Sequence, residues 1–287
     1  MGMAQASCSL SLVAGLGTGY FVAMRVLVLG EVVGKAGLTA VKEGLKSFVC
    51  EKNVDFTVMN GNGVTGGFGL GKKHAQMLRK SGIRVITGGE YAFNKRDMVD
   101  FLPKSSWILR PANLPNESPG RGWNVYETPK GEIAVVNLLG QSGYTRIHGS
   151  NPFLLIQDLI PKVRERTPRI LLNFHASTTA EKRTMSFHVN SLVSIMAGSG
   201  TRCMTADLAL SQEGTASITD LGRTGSRGGV YGLNSQWELG ILRSRIPNRS
   251  REAFEDVRLQ GILAQLTEDG RCDHVEMVDL PMEGNEK

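Results

Sequence analysis

The chain has 287 residues, 41% hydrophobic and 21% charged, which is long and apolar enough for a large buried core and excludes a largely disordered protein. Its formal charge of +6 arises from basic residues mixed with 27 acidic ones, a pattern that favours a solvated surface and disfavours a nucleic-acid partner. The four cysteines form no C-x-x-C pair. We therefore expect neither a zinc knuckle nor a disulfide framework, and a cytoplasmic location.

Residues 1–23 precede the first strong structural pattern. They are mildly apolar but contain no Lys or Arg, and glycines interrupt the run. The segment thus lacks the positive flank of a secretory signal, and we expect no membrane association. Because Met24 directly precedes a strand pattern, we interpret residues 1–23 as an N-terminal extension, either disordered or an alternative start, and residues 24–287 as a single domain.

The first pattern is a β-α-β unit. Residues 24–37 form an apolar run broken by two glycines, typical of a strand buried on both faces. Helical spacing follows over residues 38–52, and a second buried strand over residues 54–63.

Later segments repeat this alternation of strand and helix, and the last segments form strands only. Further helices are predicted near residues 72–80, 95–101 and 152–166, and further strands at residues 83–89, 106–113, 132–140, 169–177, 191–198 and 215–222. Alternating residues over 252–270 and 273–280 predict a closing antiparallel hairpin. The whole pattern predicts one mixed α/β domain.

Several predicted strands end in short glycine-rich loops, the places where α/β proteins bind ligands. Three of these loops read GEVVG, NGNG and GEYAFN, and two connecting segments read RPANLPNESPG and TDLGRTG. Taken in order, the segments resemble the YmdB-like bacterial branch of the calcineurin-like metallophosphoesterases, along nearly the whole chain from Met24. The corresponding family motifs are GDVVG, NGEN and GNHTWD.

The resemblance implies a fold and a chemistry. The fold is α/β, a metallophosphoesterase-like four-layer sandwich of two mixed β-sheets flanked by helices, with the site at the carboxyl edge of the sheets. In the family, two divalent metal ions held by Asp, Glu, Asn and His polarise a phosphodiester and activate a water molecule.

The first three motifs depart from the family pattern at several positions. The first-motif Asp is replaced by Glu31, which keeps the charge. The second-motif Glu and Asn fall on Asn62 and Gly63, and the third-motif Asn falls on Glu90. The neighbouring family His, which would protonate the leaving group, falls on Tyr91.

The remaining metal ligands fall after two later strands. The family His in the FHA segment is retained as His175, whereas two further His positions fall on Gly200 and Arg202. The resemblance therefore leaves Glu31, Asn62, Glu90 and His175 as residual metal ligands. Because Arg202 replaces a ligand near the first motif, we predict that its guanidinium pairs with the Glu31 carboxylate within about 4 Å.

The lost ligands predict a non-catalytic or strongly altered phosphodiesterase relative with a binding or regulatory role and no cofactor. On this interpretation no catalytic residue is expected, and Asn62, Arg202 and Arg223 contact a phosphate or nucleotide ligand. The alternative is a metal-dependent phosphodiesterase acting on cyclic nucleotides or other phosphodiesters with Mn, Fe or Mg. A protein partner and a homo-oligomer stay open.

Overall fold

The computed structural model describes residues 23–144 and 147–282. The strands in chain order are β1 (Met24–Val33), β2 (Phe56–Gly63), β3 (Val85–Thr87), β4 (Ile108–Leu109), β5 (Trp123–Thr128), β6 (Gly131–Leu139), β7 (Ile170–His175), β8 (Ile195–Ser199), β9 (Ala209–Leu210), β10 (Ala216–Ile218), β11 (Arg223–Ser226), β12 (Val257–Leu266) and β13 (Cys272–Pro281). The helices are α1 (Gly34–Glu51), α2 (Lys72–Lys80), α3 (Arg96–Val99), α4 (Pro152–Arg164), α5 (Thr179–His188) and α6 (Ser235–Ser244). A 3₁₀ turn spans Leu102–Lys104.

The first sheet has seven strands in the order β13-β12-β11-β1-β2-β3-β4. Its centre, β1, pairs in parallel with β2 and β11 and antiparallel with β12, so the sheet is mixed. The second sheet has six strands in the order β5-β6-β7-β8-β10-β9, with β6, β7, β8 and β10 parallel and both edge strands antiparallel.

Three apolar clusters hold these layers together. Alternate residues of β1 point to opposite faces, so that Val26 and Val28 pack between the two sheets while Leu27 and Leu29 pack under α1. The second sheet likewise packs its outer face against α4 and α5. The predicted four-layer sandwich of two mixed sheets flanked by helices is confirmed.

Most predicted elements are present, but one predicted strand is wrong in part and several elements were not predicted. The prediction of one strand over residues 215–222 is wrong at its end, because β10 and β11 lie in different sheets and the chain crosses between them at residues 219–222. The elements that were not predicted are α5, α6, β5, β9 and β11. In the antiparallel strand β5 the reason is that its residues are only half-buried and show weak alternation. The closing hairpin of β12 and β13 is confirmed.

Two further predictions concern the N-terminal extension and membrane association. The N-terminal extension lies, apart from Ala23, outside the described residues. Across the described ranges, no helix combines the length and the apolar content needed to cross a bilayer.

Candidate functional site

Residues predicted to form the site come together at the carboxyl ends of strands from both sheets. Glu31 lies at a register irregularity near the end of β1, and Asn62 is the second-to-last residue of β2. His175 ends β7, and Glu90 and Arg202 follow β3 and β8. The carboxyl ends of parallel strands meet at one edge, which is why residues far apart in sequence become neighbours here.

The pairing of Glu31 with Arg202 is confirmed. Nη2 of Arg202 lies 2.6 Å from Oε1 of Glu31, and both side chains are fully buried. Burial opposes the charged form of the guanidinium, but attraction by Glu31 outweighs burial and raises the pKa of Arg202. A carboxylate buried at this depth is costly unless a positive charge neutralises it, and the permanently charged guanidinium supplies that charge.

A second buried contact joins His175 to Glu90. Nε2 of His175 lies 2.6 Å from Oε2 of Glu90, and the Glu90 side chain keeps 13% of its surface exposed. Burial alone would raise the pKa of Glu90 and lower that of His175. Their mutual attraction outweighs burial, so the pKa of Glu90 is lowered and that of His175 is raised. The contact is thus a short hydrogen bond between the imidazole ring and the Glu90 carboxylate, strengthened by their low-dielectric surroundings.

The other ring nitrogen of His175 is held by a buried polar network. Nδ1 lies 3.0 Å from Oγ of Ser199, which is the register partner of His175 across β7 and β8. The Ser199 hydroxyl accepts from Nδ2 of Asn60 at 3.0 Å and donates to Oδ1 of Asn173 at 3.3 Å. Asn173 donates onward to Asn137 at 2.8 Å. The network fixes the ring orientation by surrounding Nδ1 with polar groups.

Asn62 connects the two charged pairs. Its Nδ2 donates to Oε2 of Glu90 at 2.9 Å and lies 3.5 Å from Oε1 of Glu31. Its Oδ1 accepts from the backbone N–H of Tyr91 at 2.9 Å. The amide is therefore oriented by contacts on both of its ends.

A cavity of about 840 Å³ opens beside these pairs. Its walls include Glu90, Tyr91 and Gly200, all of them positions that the sequence singled out, together with Phe68 and Phe93. Glu90 is thus the member of the two charged pairs that reaches the cavity. The cavity has the size of a small-molecule site and combines aromatic with polar walls.

Two tyrosines in the cavity wall were not predicted. The ring of Tyr144 stacks on that of His175 with centroids 6.0 Å apart, and burial raises the pKa of its hydroxyl. Within the described ranges that buried hydroxyl has no hydrogen-bond partner. The hydroxyl of Tyr231 donates to the carbonyl of Gly200 at 2.6 Å. No motif marks either tyrosine, because both come from loops that only the fold brings to the strand ends.

The two predicted phosphate-binding arginines do not line the cavity. The guanidinium of Arg223 donates to backbone carbonyls of residues 202, 226, 227 and 229. That of Arg202 is fully buried against Glu31. Their direct contact with a phosphate stays a prediction, and in this geometry both side chains hold loops together.

The donor set at the site does not fit a centre of two metal ions. Oε1 of Glu31 is taken by the guanidinium, and position 200 carries no side chain. Over residues 23–144 and 147–282, no three His, Cys, Asp or Glu side chains are grouped closely enough to hold an ion. One feature favours a single ion: within the same ranges, the buried Oε2 of Glu31 has no hydrogen-bond partner. Carboxylate, amide and imidazole donors are also ligands that Mn²⁺ and Fe²⁺ accept.

Similar proteins correct the prediction about function. The chain is 32% identical over 243 residues to the 2',3'-cyclic-nucleotide 2'-phosphodiesterase of Bacillus subtilis (strain 168). The aligned region covers 85% of this chain and 91% of that protein. The prediction of a non-catalytic binding or regulatory protein is therefore wrong, and the alternative of a phosphodiesterase is better supported. The metallophosphoesterases normally use divalent metal ions, which fits the alternative of a divalent metal cofactor better than the expectation of none.

Solved structures and a family model agree with this correction. A crystal structure described as a novel phosphatase from Mycoplasma pneumoniae superposes with a TM-score of 0.85 and 26% identity, covering 90% of this chain and 94% of that one. A 5'-nucleotidase precursor from Thermus thermophilus shares only the fold, with a TM-score of 0.56 and 10% identity over 91% of this chain and 54% of that one. The family model described as YmdB-like protein matches residues 27–278. The chain therefore belongs to the YmdB-like family of the calcineurin-like metallophosphoesterases.

Proposed function

We propose that the chain hydrolyses phosphodiesters in the cavity beside Glu90, with 2',3'-cyclic nucleotides as the substrate class. The proposal rests on the buried contact of 2.6 Å between Nε2 of His175 and Oε2 of Glu90. Glu90 also forms part of the cavity wall. A buried histidine and carboxylate in contact beside a cavity are an arrangement typical of active sites. The activity of the Bacillus subtilis relative supplies the substrate class.

The walls of the cavity suit a nucleotide. Phe68, Tyr91 and Phe93 line one part of it, and the rings of Phe68 and Tyr91 meet edge to face with centroids 5.4 Å apart. Aromatic faces of this kind can stack on a nucleobase. The unpartnered hydroxyl of Tyr144 supplies a hydrogen-bond donor for a phosphoryl oxygen, since a raised pKa keeps it protonated.

A single divalent ion is the cofactor in this proposal. Glu31, Asn62, Glu90 and His175 would hold it, and because they are not grouped as a metal site here, binding would require these side chains to move together and Nε2 of His175 to release Glu90. Such an ion, when bound, neutralises phosphoryl charge and lowers the pKa of water. The residues of the chain supply orientation. Asn62 sets the position of Glu90, and the network behind Nδ1 sets that of His175. In the reaction, water adds to phosphorus, the bond to the 2' oxygen breaks, and that oxygen leaves as a hydroxyl group.

The test is turnover of 2',3'-cyclic AMP by the full chain with Mn²⁺, followed by chromatography of the nucleoside 3'-phosphate product. We expect Glu90→Gln and His175→Ala each to lower kcat/KM by at least about 100-fold. His188→Ala is the matched control, because this half-buried histidine contacts the carbonyl of Phe153 on α4 rather than the cavity. Absence of turnover with Mn²⁺, Fe²⁺ and Mg²⁺, or a rate unchanged by His175→Ala, would contradict the proposal.

A further inference from the structure

Among residues 23–144 and 147–282, Arg202 is the largest of the completely buried side chains. Its guanidinium contacts three acceptors that belong to different segments. Nη2 lies 2.6 Å from Oε1 of Glu31 and 2.7 Å from the carbonyl of Gly67, and Nη1 lies 3.1 Å from the carbonyl of Tyr231. The Tyr231 ring also lies 4.1 Å from the guanidinium carbon. A cation held by a carboxylate, two carbonyls and an aromatic face is enclosed much as a bound ion would be.

The backbone of Arg202 is held in an uncommon conformation. Its φ is +53°, in the left-handed region that non-glycine residues seldom adopt. Nη1 of Arg223 donates to the Arg202 carbonyl at 2.6 Å and so helps to hold the residue there. The loop after β8 is thus arranged to direct this guanidinium inward.

Gly63 provides the space for the guanidinium. A Cβ atom at position 63 would lie 2.6 Å from Nη2 of Arg202 and 2.8 Å from Oε1 of Glu31. Such distances are below van der Waals contact, so a side chain at position 63 and the guanidinium exclude each other. The absence of a side chain at position 63 and the presence of arginine at position 202 are therefore complementary.

We propose that the Arg202 guanidinium is a built-in cation at the Glu31 end of the site, so that the chain binds at most one divalent metal ion. The inference deepens the proposed function, because it limits how many ions that site can hold. The guanidinium occupies Oε1 of Glu31 and repels a second cation beside it. Arg202 lies outside the cavity wall and therefore acts as a positioning residue through Glu31.

Removal of the guanidinium should uncover a metal site. Its three acceptors are a carboxylate oxygen and two carbonyl oxygens, which are the ligands that Mg²⁺ and Mn²⁺ take. Arg202→Gly is the suitable variant, because glycine adopts a φ of +53° without strain. We expect this variant to bind one more Mn²⁺ ion per chain than the wild type does.

The first measurement is the number of Mn²⁺ ions per full chain after equilibrium dialysis, determined by elemental analysis. A wild-type count between zero and one supports the inference, and a count of two overturns it. The result does not depend on turnover. A count of zero would remove the metal ion from the proposed function and leave the inference intact. Two ions per chain with full activity would overturn the inference and leave the proposed hydrolysis intact.

The second measurement compares melting temperatures in EDTA and in Mn²⁺. In EDTA, Arg202→Gly should lower Tm by roughly 10 °C, since it leaves a buried carboxylate unpaired. Mn²⁺ should recover part of this loss. Lys182→Met is the matched control: it breaks a fully buried ion pair with Asp220, but the Asp220 carboxylate keeps hydrogen bonds from Thr201 and Gly222. Its loss in Tm should not be recovered by Mn²⁺.

Two outcomes of the variant series overturn the inference. One is an Arg202→Gly protein whose ion count equals that of the wild type. The other is an equal recovery by Mn²⁺ in the Lys182→Met control. If Arg202→Gly does not fold, Arg202→Lys keeps a positive charge in the same place and should keep the wild-type ion count. A gain of one ion in Arg202→Lys would then overturn the inference.

Discussion

At the scale of single residues, the Arg202 and His175 side chains each depend on the residues at neighbouring positions, so that the residues fit as matched pairs. Arg202 requires an acid at position 31 and no side chain at position 63. His175 has a similar requirement, since a Cβ at position 89 would lie 2.4 Å from its Nε2. The Glu31–Arg202 pair and the His175 ring are therefore each accommodated by a glycine on a neighbouring segment.

The match between Gly63 and Arg202 can be tested through stability. Gly63→Ala should lower the free energy of unfolding by about 1–3 kcal/mol, because the new methyl group would overlap the guanidinium. In the Arg202→Gly background the same change should cost less, with a coupling energy of about 0.5–3 kcal/mol. Denaturant unfolding of the four proteins measures both quantities.

Gly240→Ala is the control for this cycle. It lies in α6, and a Cβ there would meet no atom within 4 Å. Alanine is favoured over glycine inside a helix by roughly 1 kcal/mol, so we expect unchanged or higher stability. Additive effects of Gly63→Ala and Arg202→Gly would show that the two residues do not form a matched pair.

At the scale of elements, α4 and α6 begin in the same way but depend on the fold to different degrees. Asn151 caps α4 by accepting from the N–H of Phe153 at 2.9 Å, and Asn234 caps α6 by accepting from Trp237 at 3.0 Å. Helix α4 buries residues against the second sheet, whereas α6 has none that are fully buried. Packing therefore couples α4 to the core more strongly than α6.

Removing the cap of each helix should show how strongly that helix is coupled to the core. Asn151→Ala should lower the global free energy of unfolding by about 1 kcal/mol, the usual value of a helix cap. Asn234→Ala should leave global stability unchanged and raise the hydrogen-exchange rates of the α6 amides by roughly fivefold, the equivalent of 1 kcal/mol in local opening. A similar global loss in both variants would contradict the independence of α6.

At the scale of the whole molecule, the two sheets are joined by the apolar layer between them. Val26, Val28 and Ile262 of the first sheet share this layer with Val135 and Leu171 of the second. The site lies above the layer, at the strand ends of both sheets. Each charged pair joins a residue from the first sheet to a residue from the second, so the contact within each pair depends on how the sheets pack together.

A cavity in this layer should affect the entire fold. Leu171 on β7 is fully buried, and Leu171→Ala should lower the free energy of unfolding by about 2–5 kcal/mol through lost burial and residual cavity. Leu154→Ala on α4 is the matched control, because 62% of that leucine is exposed and its loss should cost little. Circular dichroism and tryptophan fluorescence in urea measure both. Two separate transitions would contradict a shared core.

Much of the fold and part of the site could be predicted from the sequence. Buried parallel strands are continuous apolar runs, which marks β1 and β2, and alternation marks the hairpin of β12 and β13. The family resemblance placed Glu31, Glu90 and His175 at strand ends and Arg202 near Glu31, and the need to neutralise a buried carboxylate predicted that Glu31 and Arg202 pair. These inferences succeed because periodicity and charge neutralisation are local or pairwise constraints.

Other features depend on tertiary packing. The sequence does not show that β10 and β11 lie in different sheets, since both are short runs joined by one turn. It also does not show that Tyr144 stacks on His175 or that Gly63 makes room for Arg202. Such contacts join residues far apart in the chain, and their distances are decided only when two twisted sheets pack and bring their carboxyl edges together.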